Sequence, residues 1–234
     1  MIPYRDENPT SRFPILTVLI IIANAFVFLY QQSLPPMGQK LFVVRYAAIP
    51  VHIVLGKDFN LPMLEPAWLT VFTSMFMHAG WMHLLGNMLF LWIFGNNVED
   101  LMGRFKFLLF YLICGVGAAA LQIMMSLSPK AAGIPMVGAS GAIAGVLGAY
   151  LIKFPAARVR TIIFFIFIQV VVLPAYVVLG MWFIVQFFSA MANAASGVAG
   201  GGVAFFAHVG GFVAGMLLVL PFTLGRRRGI RRLE

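Results

Sequence analysis

Long apolar runs alternate along the chain with polar or proline-rich breaks, and six of the runs approach the length of a membrane crossing. The first, Phe13 to Tyr30, holds about 18 residues, enough to span. Asn24 is its only strongly polar interior residue and is expected to bond a neighbouring helix. Residues 31–66 read as a long loop with Pro35, Pro36, Pro50, Pro62 and Pro66. Within it, Lys40 to Leu55 mixes apolar residues with Lys40, Arg45 and His52, a pattern for short amphipathic pieces in the membrane interface. His52 reads as surface-exposed and is assigned no role. The second run, Trp68 to about Phe94, contains His78, His83 and Asn87 and meets Gly95-Asn96-Asn97-Val98-Glu99-Asp100. The third covers about Phe105 to Met125. The fourth, Ser140 to about Phe154, is short. The fifth runs from about Ile162 to Phe188, with Pro174 as a kink. Ser189 to Gly202, rich in Gly, Ala and Ser, reads as a flexible loop before the sixth run, Val203 to Leu224.

This pattern divides the chain into a polar cytoplasmic tail (1–12), a six-helix transmembrane domain (13–224) and a basic cytoplasmic tail (225–234). Composition agrees. Of 234 residues, 62% are hydrophobic and 10% charged, where soluble domains carry about 25% charge. The mean hydropathy is +0.96. An all-α, polytopic membrane protein follows, with the first apolar run too long for a signal-peptide core and retained as a helix.

Topology accounts for the net charge of +9 better than nucleic-acid binding does. With residues 1–12 inside, the inside segments hold Arg5, Arg12, Arg104, Lys106, Lys153, Arg158, Arg160 and the five arginines after Gly225. These are 12 of the 16 basic residues. The outside keeps Lys40, Arg45, Lys57 and Lys130. Both termini are therefore expected in the cytoplasm, and the membrane is expected to be a bacterial cytoplasmic one. Cys114, the single cysteine, permits no intrachain disulfide and reads as a buried apolar residue.

Candidate chemistry centres on Gly138-Ala139-Ser140-Gly141. Gly138 permits a tight turn with positive φ, and Ser140 would stand at a helix N-terminus, where free N–H groups favour a developing oxyanion. The same small residues, Gly141, Gly145 and Gly148, also suit close helix packing. Depth distinguishes the readings. Ser140 lies about 13 residues before Lys153, roughly 20 Å. His208 and His83 fall at a similar level of their own runs. Gly211 and Gly215 would let the sixth helix meet the fourth closely and bring His208 to Ser140. Histidine suits removal of a serine proton near neutral pH. No carboxylate lies at that depth, so the arrangement is a dyad. His83 and Asn87, four residues apart, share a helical face and could donate to an oxyanion beside the Ser140 N–H. His78 should sit nearer the surface. The histidine spacing does not suit zinc, and no metal or other cofactor is expected.

Together these residues resemble the rhomboid family of intramembrane serine proteases. The match is His78-x-x-x-x-His83-x-x-x-Asn87, Gly138-Ala139-Ser140-Gly141, and Ala207-His208-x-x-Gly211-x-x-x-Gly215, in order and in the matching spans, over about residues 13–224. Glu99 looks like part of the family's turn at the cytoplasmic end of the second span. The resemblance implies a rhomboid-like bundle of six helices, of bacterial type, with a water-filled cavity open to the outside. Ser140 would be the nucleophile and His208 the general base. His83, Asn87 and the Ser140 N–H would form the oxyanion hole, with Gly138, Gly141 and His78 in support. It also implies that the fifth span and the loop after it gate entry, with Trp182 a gate residue. Substrates would be single-span membrane proteins cut beside a small residue. Two positions depart from the family. Ala144 stands where some members stack an aromatic ring on the histidine, and the first loop lacks a Trp-Arg pair.

Two other classes fit the composition. A rhomboid-like protein that binds membrane clients without cutting them would usually lack the serine or histidine. A transporter would place ionisable residues along a path through the whole membrane, and here they stop in the outer half.

Overall fold

The computed structural model describes residues 1–56, 64–128, 131–164, 167–196 and 204–225. The order is β1 (Ile2–Asp6), α1 (Ile15–Ser33), α2 (Pro36–Tyr46), α3 (Pro50–Leu55), α4 (Thr70–Ser74), α5 (Trp81–Phe90), α6 (Asn96–Met102), α7 (Arg104–Met125), α8 (Ser140–Lys153), β2 (Arg158–Phe164), β3 (Ile168–Pro174), α9 (Ala175–Ser196) and α10 (Phe205–Thr223). A π-helical turn, Leu91–Gly95, joins α5 to α6 without a break. The protein is mainly helical.

Helices α1, α7, α9 (over Ala175–Ala195) and α10 are long and apolar enough to cross a membrane. Their burial pattern fits lipid. In α1 the buried stripe is Thr17, Ile20, Asn24, Phe28 and Gln31. Leu19, Ile22, Phe26 and Leu29 face outward, more than half exposed. Polar residues inside and apolar residues outside reverse the pattern of a water-soluble helix. Asn24 donates to the Ile20 carbonyl of its own helix, and not to a neighbour as its position in the run suggested. Helix α8 has 14 residues.

α8 lies at the centre. From Gly141 to Tyr150 every residue is buried. α10 crosses it at backbone contact. A Cβ on Gly211 would strike the Gly141 carbonyl, one on Gly215 the Gly145 carbonyl, and one on Gly148 the Phe212 carbonyl. The glycine pairing expected from sequence is what lets the axes approach. On the other flank Cys114 of α7 packs against Gly145 and is fully buried.

Three expectations are corrected. The polar tail is a strand: β1 pairs antiparallel with β2, Ile2 opposite Ile162 and Asp6 opposite Val159. The fifth apolar run is only partly a helix. Its first part is the β2–β3 hairpin, Arg158 opposite Pro174 through Phe164 opposite Ile168. Val170, Val171 and Val172 suit a strand, and Pro174 ends β3 directly before α9, where it kinks nothing. His52 is 2% exposed, with Nε2 3.1 Å from Glu65 Oε1. Burial between α3 and the segment before α4 replaces the surface position expected of it.

The sheet is fastened to the end of α8 remote from Ser140. Asp6 Oδ2 accepts from the Tyr150 hydroxyl at 2.6 Å and from Asn97 at 2.9 Å. Nearby, the buried Glu99 carboxylate accepts from the Leu16 and Thr17 N–H groups and the Thr17 hydroxyl at 2.7–3.0 Å. It thereby caps the start of α1 from the α6 helix. The stretch 40–55, expected to hold short amphipathic pieces, holds most of α2 and all of α3, and α2 buries none of its residues. Part of the predicted loop before α10 is helical to Ser196; 197–203 and the basic tail from 226 lie outside the described residues.

Candidate active site

Residues 131–139 lead to Ser140 as irregular backbone, and several of their polar groups are paired. Met136 and Ala48 exchange both backbone hydrogen bonds, at 2.8 and 3.1 Å, and the Gly138 N–H donates to the Ser74 carbonyl at 2.9 Å. Gly138 has φ +127°, a region that favours glycine. The helix then starts at Ser140, so its first N–H groups open towards the serine side chain. Ser140 is half-buried and borders a cleft of about 40 Å³ shared with Ser74, Met136, Val137 and Ala204.

The α8–α10 crossing carries His208, 9% exposed, one turn before Gly211. The first turn of α10 is held by Gln122 of α7, whose side-chain oxygen accepts the Ala207 N–H at 3.1 Å. Among the described residues no hydrogen bond joins the Ser140 hydroxyl to the His208 ring.

His83 is on α5. A Cβ at Gly138 would lie 2.7 Å from His83 Cε1, 2.8 Å from its Nε2 and 3.6 Å from Ser140 Oγ. The imidazole and the serine hydroxyl therefore border one small space that only a glycine leaves free. Asn87 is one helical turn further along α5, and its side-chain nitrogen lies 3.0 Å from His78 Nε2. His78 and His83 meet edge to face with centroids 5.1 Å apart. His78 is fully buried while His83 is half-buried. This reverses the expected order of exposure: His78 backs the α5 residues from behind.

The aromatic missing at Ala144, which is itself buried, is supplied from elsewhere. Trp182 of α9 places its ring centroid 5.7 Å from that of His208, and Phe205 meets it edge-on at 6.3 Å. Gln186, one turn past Trp182, sets its Oε1 2.6 Å from His208 Nδ1. Neither Gln186 nor Gln122 stood out in the sequence. Their signal was a polar side chain within an apolar run, the criterion that singled out the histidines.

His83 and Ser140 thus meet at the Gly138 turn, Asn87 lies one turn along α5 against His78, and His208 stands on the helix packed against α8, beside Trp182. The arrangement has the parts for acyl transfer: a hydroxyl at a helix N-terminus, an imidazole on the adjoining helix, and side-chain donors opposite.

Comparison with known proteins agrees with this organisation. Residues 65–225 match the Rhomboid domain family. The chain is 31% identical over 216 residues to RHOMBOID-like protein 1 of Arabidopsis thaliana, covering 87% of this chain and 45% of that one. It is 32% identical over 172 residues to Rhomboid protein 1, mitochondrial, of Saccharomyces cerevisiae, 71% of this chain and 44% of that one. It is 36% identical over 99 residues to Rhomboid protease GluP of Bacillus subtilis, 42% of this chain and 18% of that one. The chain spans less than half the length of each. The family match and the apolar helices support an integral membrane protein, but with mitochondrial and plant proteins among these relatives the bacterial cytoplasmic membrane expected from sequence is not supported. With more than half its length matched by the family model, the chain belongs to the rhomboid family.

Proposed function

We infer that the protein is an intramembrane serine endopeptidase. Ser140 attacks the scissile carbonyl. His208 takes the serine proton and later delivers it to the leaving amine. The oxyanion forms at the start of α8, in reach of the Ser140 N–H, with His83 and Asn87 as side-chain donors. The single observation that carries this reading is the shared space in front of Gly138, bordered by both His83 and the Ser140 hydroxyl. A Ser–His hydrogen bond that is not closed at rest suits an enzyme whose catalytic contacts tighten on substrate.

The substrate is a single-span membrane protein whose segment unwinds near the outer face, since an intact helix hides its peptide bonds from attack. The small cleft beside Ser140 fits a residue such as alanine next to the bond cut. Six crossings follow when α8 and the continuous α5–α6 helix are added to the four long helices. The basic segments at 104–106 and 153–160 then lie on the cytoplasmic side.

The test is cleavage of a single-span model substrate in liposomes by the wild type, Ser140→Ala and His208→Ala, with fluorophosphonate labelling in parallel. Cleavage and labelling by the wild type alone are expected. Equal cleavage by all three would sink the dyad. Client binding with neither labelling nor cleavage would establish the non-proteolytic reading instead.

A further inference from the structure

Helix α9 brings two side chains onto His208, and one of them is polar. The Gln186 side-chain oxygen lies 2.6 Å from Nδ1. An amide oxygen can only accept, so Nδ1 carries the ring proton and donates it. The other ring nitrogen, Nε2, then holds the lone pair. We propose that Gln186 is a positioning residue that fixes the His208 tautomer and so leaves Nε2 as the base for Ser140. This rests on the reading of His208 as that base.

A serine–histidine pair with no carboxylate has a physical difficulty that this contact meets. A neutral imidazole exchanges between two tautomers, and one of them presents N–H to the serine and cannot take its proton. A neutral amide selects the useful tautomer and orients the ring, without bringing a charge into the membrane. Trp182 adds a surface on one side of the ring, at 5.7 Å between centroids. Both residues belong to α9, the least enclosed of the four long helices: 22% of its apolar window is buried, against 44% for α7. The bond therefore joins the least buried of the four long helices to α10, whose apolar window is 33% buried. An outward displacement of α9 breaks it and frees the ring to reorient. Full basicity at Nε2 then belongs to the state with α9 docked.

The experiment compares wild type, Gln186→Leu and Gln186→Glu on a single-span model substrate in liposomes, with Ser140→Ala and His208→Ala as controls. It also records ¹⁵N spectra of protein labelled at histidine, with His208 assigned by loss of its signal in His208→Ala. Removing the acceptor in Gln186→Leu is expected to lower kcat roughly 10–100-fold with KM little changed. Glutamate, which restores an acceptor, is expected to recover most of the loss. The wild-type spectrum should show the Nδ1–H tautomer of His208, and the leucine variant a mixture. Wild-type kcat in Gln186→Leu, or an Nε2–H tautomer in the wild type, would overturn the proposal. If the leucine variant fails to fold, the wild-type tautomer and the glutamate variant still decide it. Cleavage by His208→Ala would overturn the dyad instead, while the spectra would still report on the Gln186 contact.

Discussion

A single Cβ is enough to test the geometry around Ser140. Alanine at Gly138 would press to within 2.7 Å of the His83 ring, in a backbone region that L-residues rarely adopt. Gly138→Ala is expected to cost about 1–3 kcal/mol in stability. It should also abolish most cleavage, because His83 must leave the space beside the serine. Thermal unfolding and turnover measured on the same preparation check both parts. Asn87→Ala removes a donor and releases His78, so kcat should fall by about 10²–10³ if Asn87 holds the oxyanion as donors do in soluble hydrolases. Unchanged turnover would remove Asn87 from the site. At this scale the sequence was informative where chemistry is costly in lipid: Ser140, His83 and His208 stood out because polar groups at that depth need a reason. It misjudged His78 and His52, because the burial of a residue in a loop or short helix depends on which segments fold over it. Periodicity within one run carries no record of those partners.

Between elements, the crossing of α8 and α10 is the joint on which the site depends. Gly215→Ala would set a methyl group into the Gly145 carbonyl, so the axes must separate. We expect a destabilisation of about 1–3 kcal/mol, together with loss of fluorophosphonate labelling, since His208 rides on the helix that moves. Labelling at the wild-type rate would show that the crossing does not set the serine–histidine distance. Small residues four apart made this joint readable in advance. The β2–β3 hairpin was not readable in the same way. Residues 162–188 form one continuous apolar run, and a run of that kind has no period to separate strand from helix. The valine triplet followed by Pro174 was the available signal. It was outweighed by a length that suited a crossing.

Taken as a whole, the molecule has its chemistry and its anchorage at opposite ends of α8. β1 joins the sheet, the Asp6 carboxylate joins Tyr150 and Asn97, and Glu7 pairs with Arg158 and Arg160 at 3.1 and 2.8 Å. The Glu7 pairs are largely exposed, and Glu7→Ala should change stability by less than about 1 kcal/mol. Asp6→Ala should cost more, because the Tyr150 hydroxyl and the Asn97 amide lose their shared acceptor in a partly buried place. Neither change should alter kcat in the protein that remains folded. Unfolding curves and turnover for the two variants separate these effects, and a marked fall in kcat for either would show that the two ends are coupled.

The shortness of α8 has a consequence for how the reaction is supplied. Its 14 residues cover about 21 Å, some 9 Å less than a hydrocarbon layer of about 30 Å. If α8 lies in a crossing, the irregular, partly paired backbone of residues 131–139 makes up the difference, and the interior of a bilayer tolerates such backbone only beside protein or water. Hydrolysis consumes one water molecule per bond cut. On the proposed reading that water reaches Ser140 from the side of residues 131–139, since the opposite end of α8 is joined through Tyr150 to Asp6 and the sheet. If Ser140 acts as proposed, catalysis is vectorial: the co-substrate comes from one aqueous phase, and a polar inhibitor confined to the other phase is expected to leave cleavage unchanged.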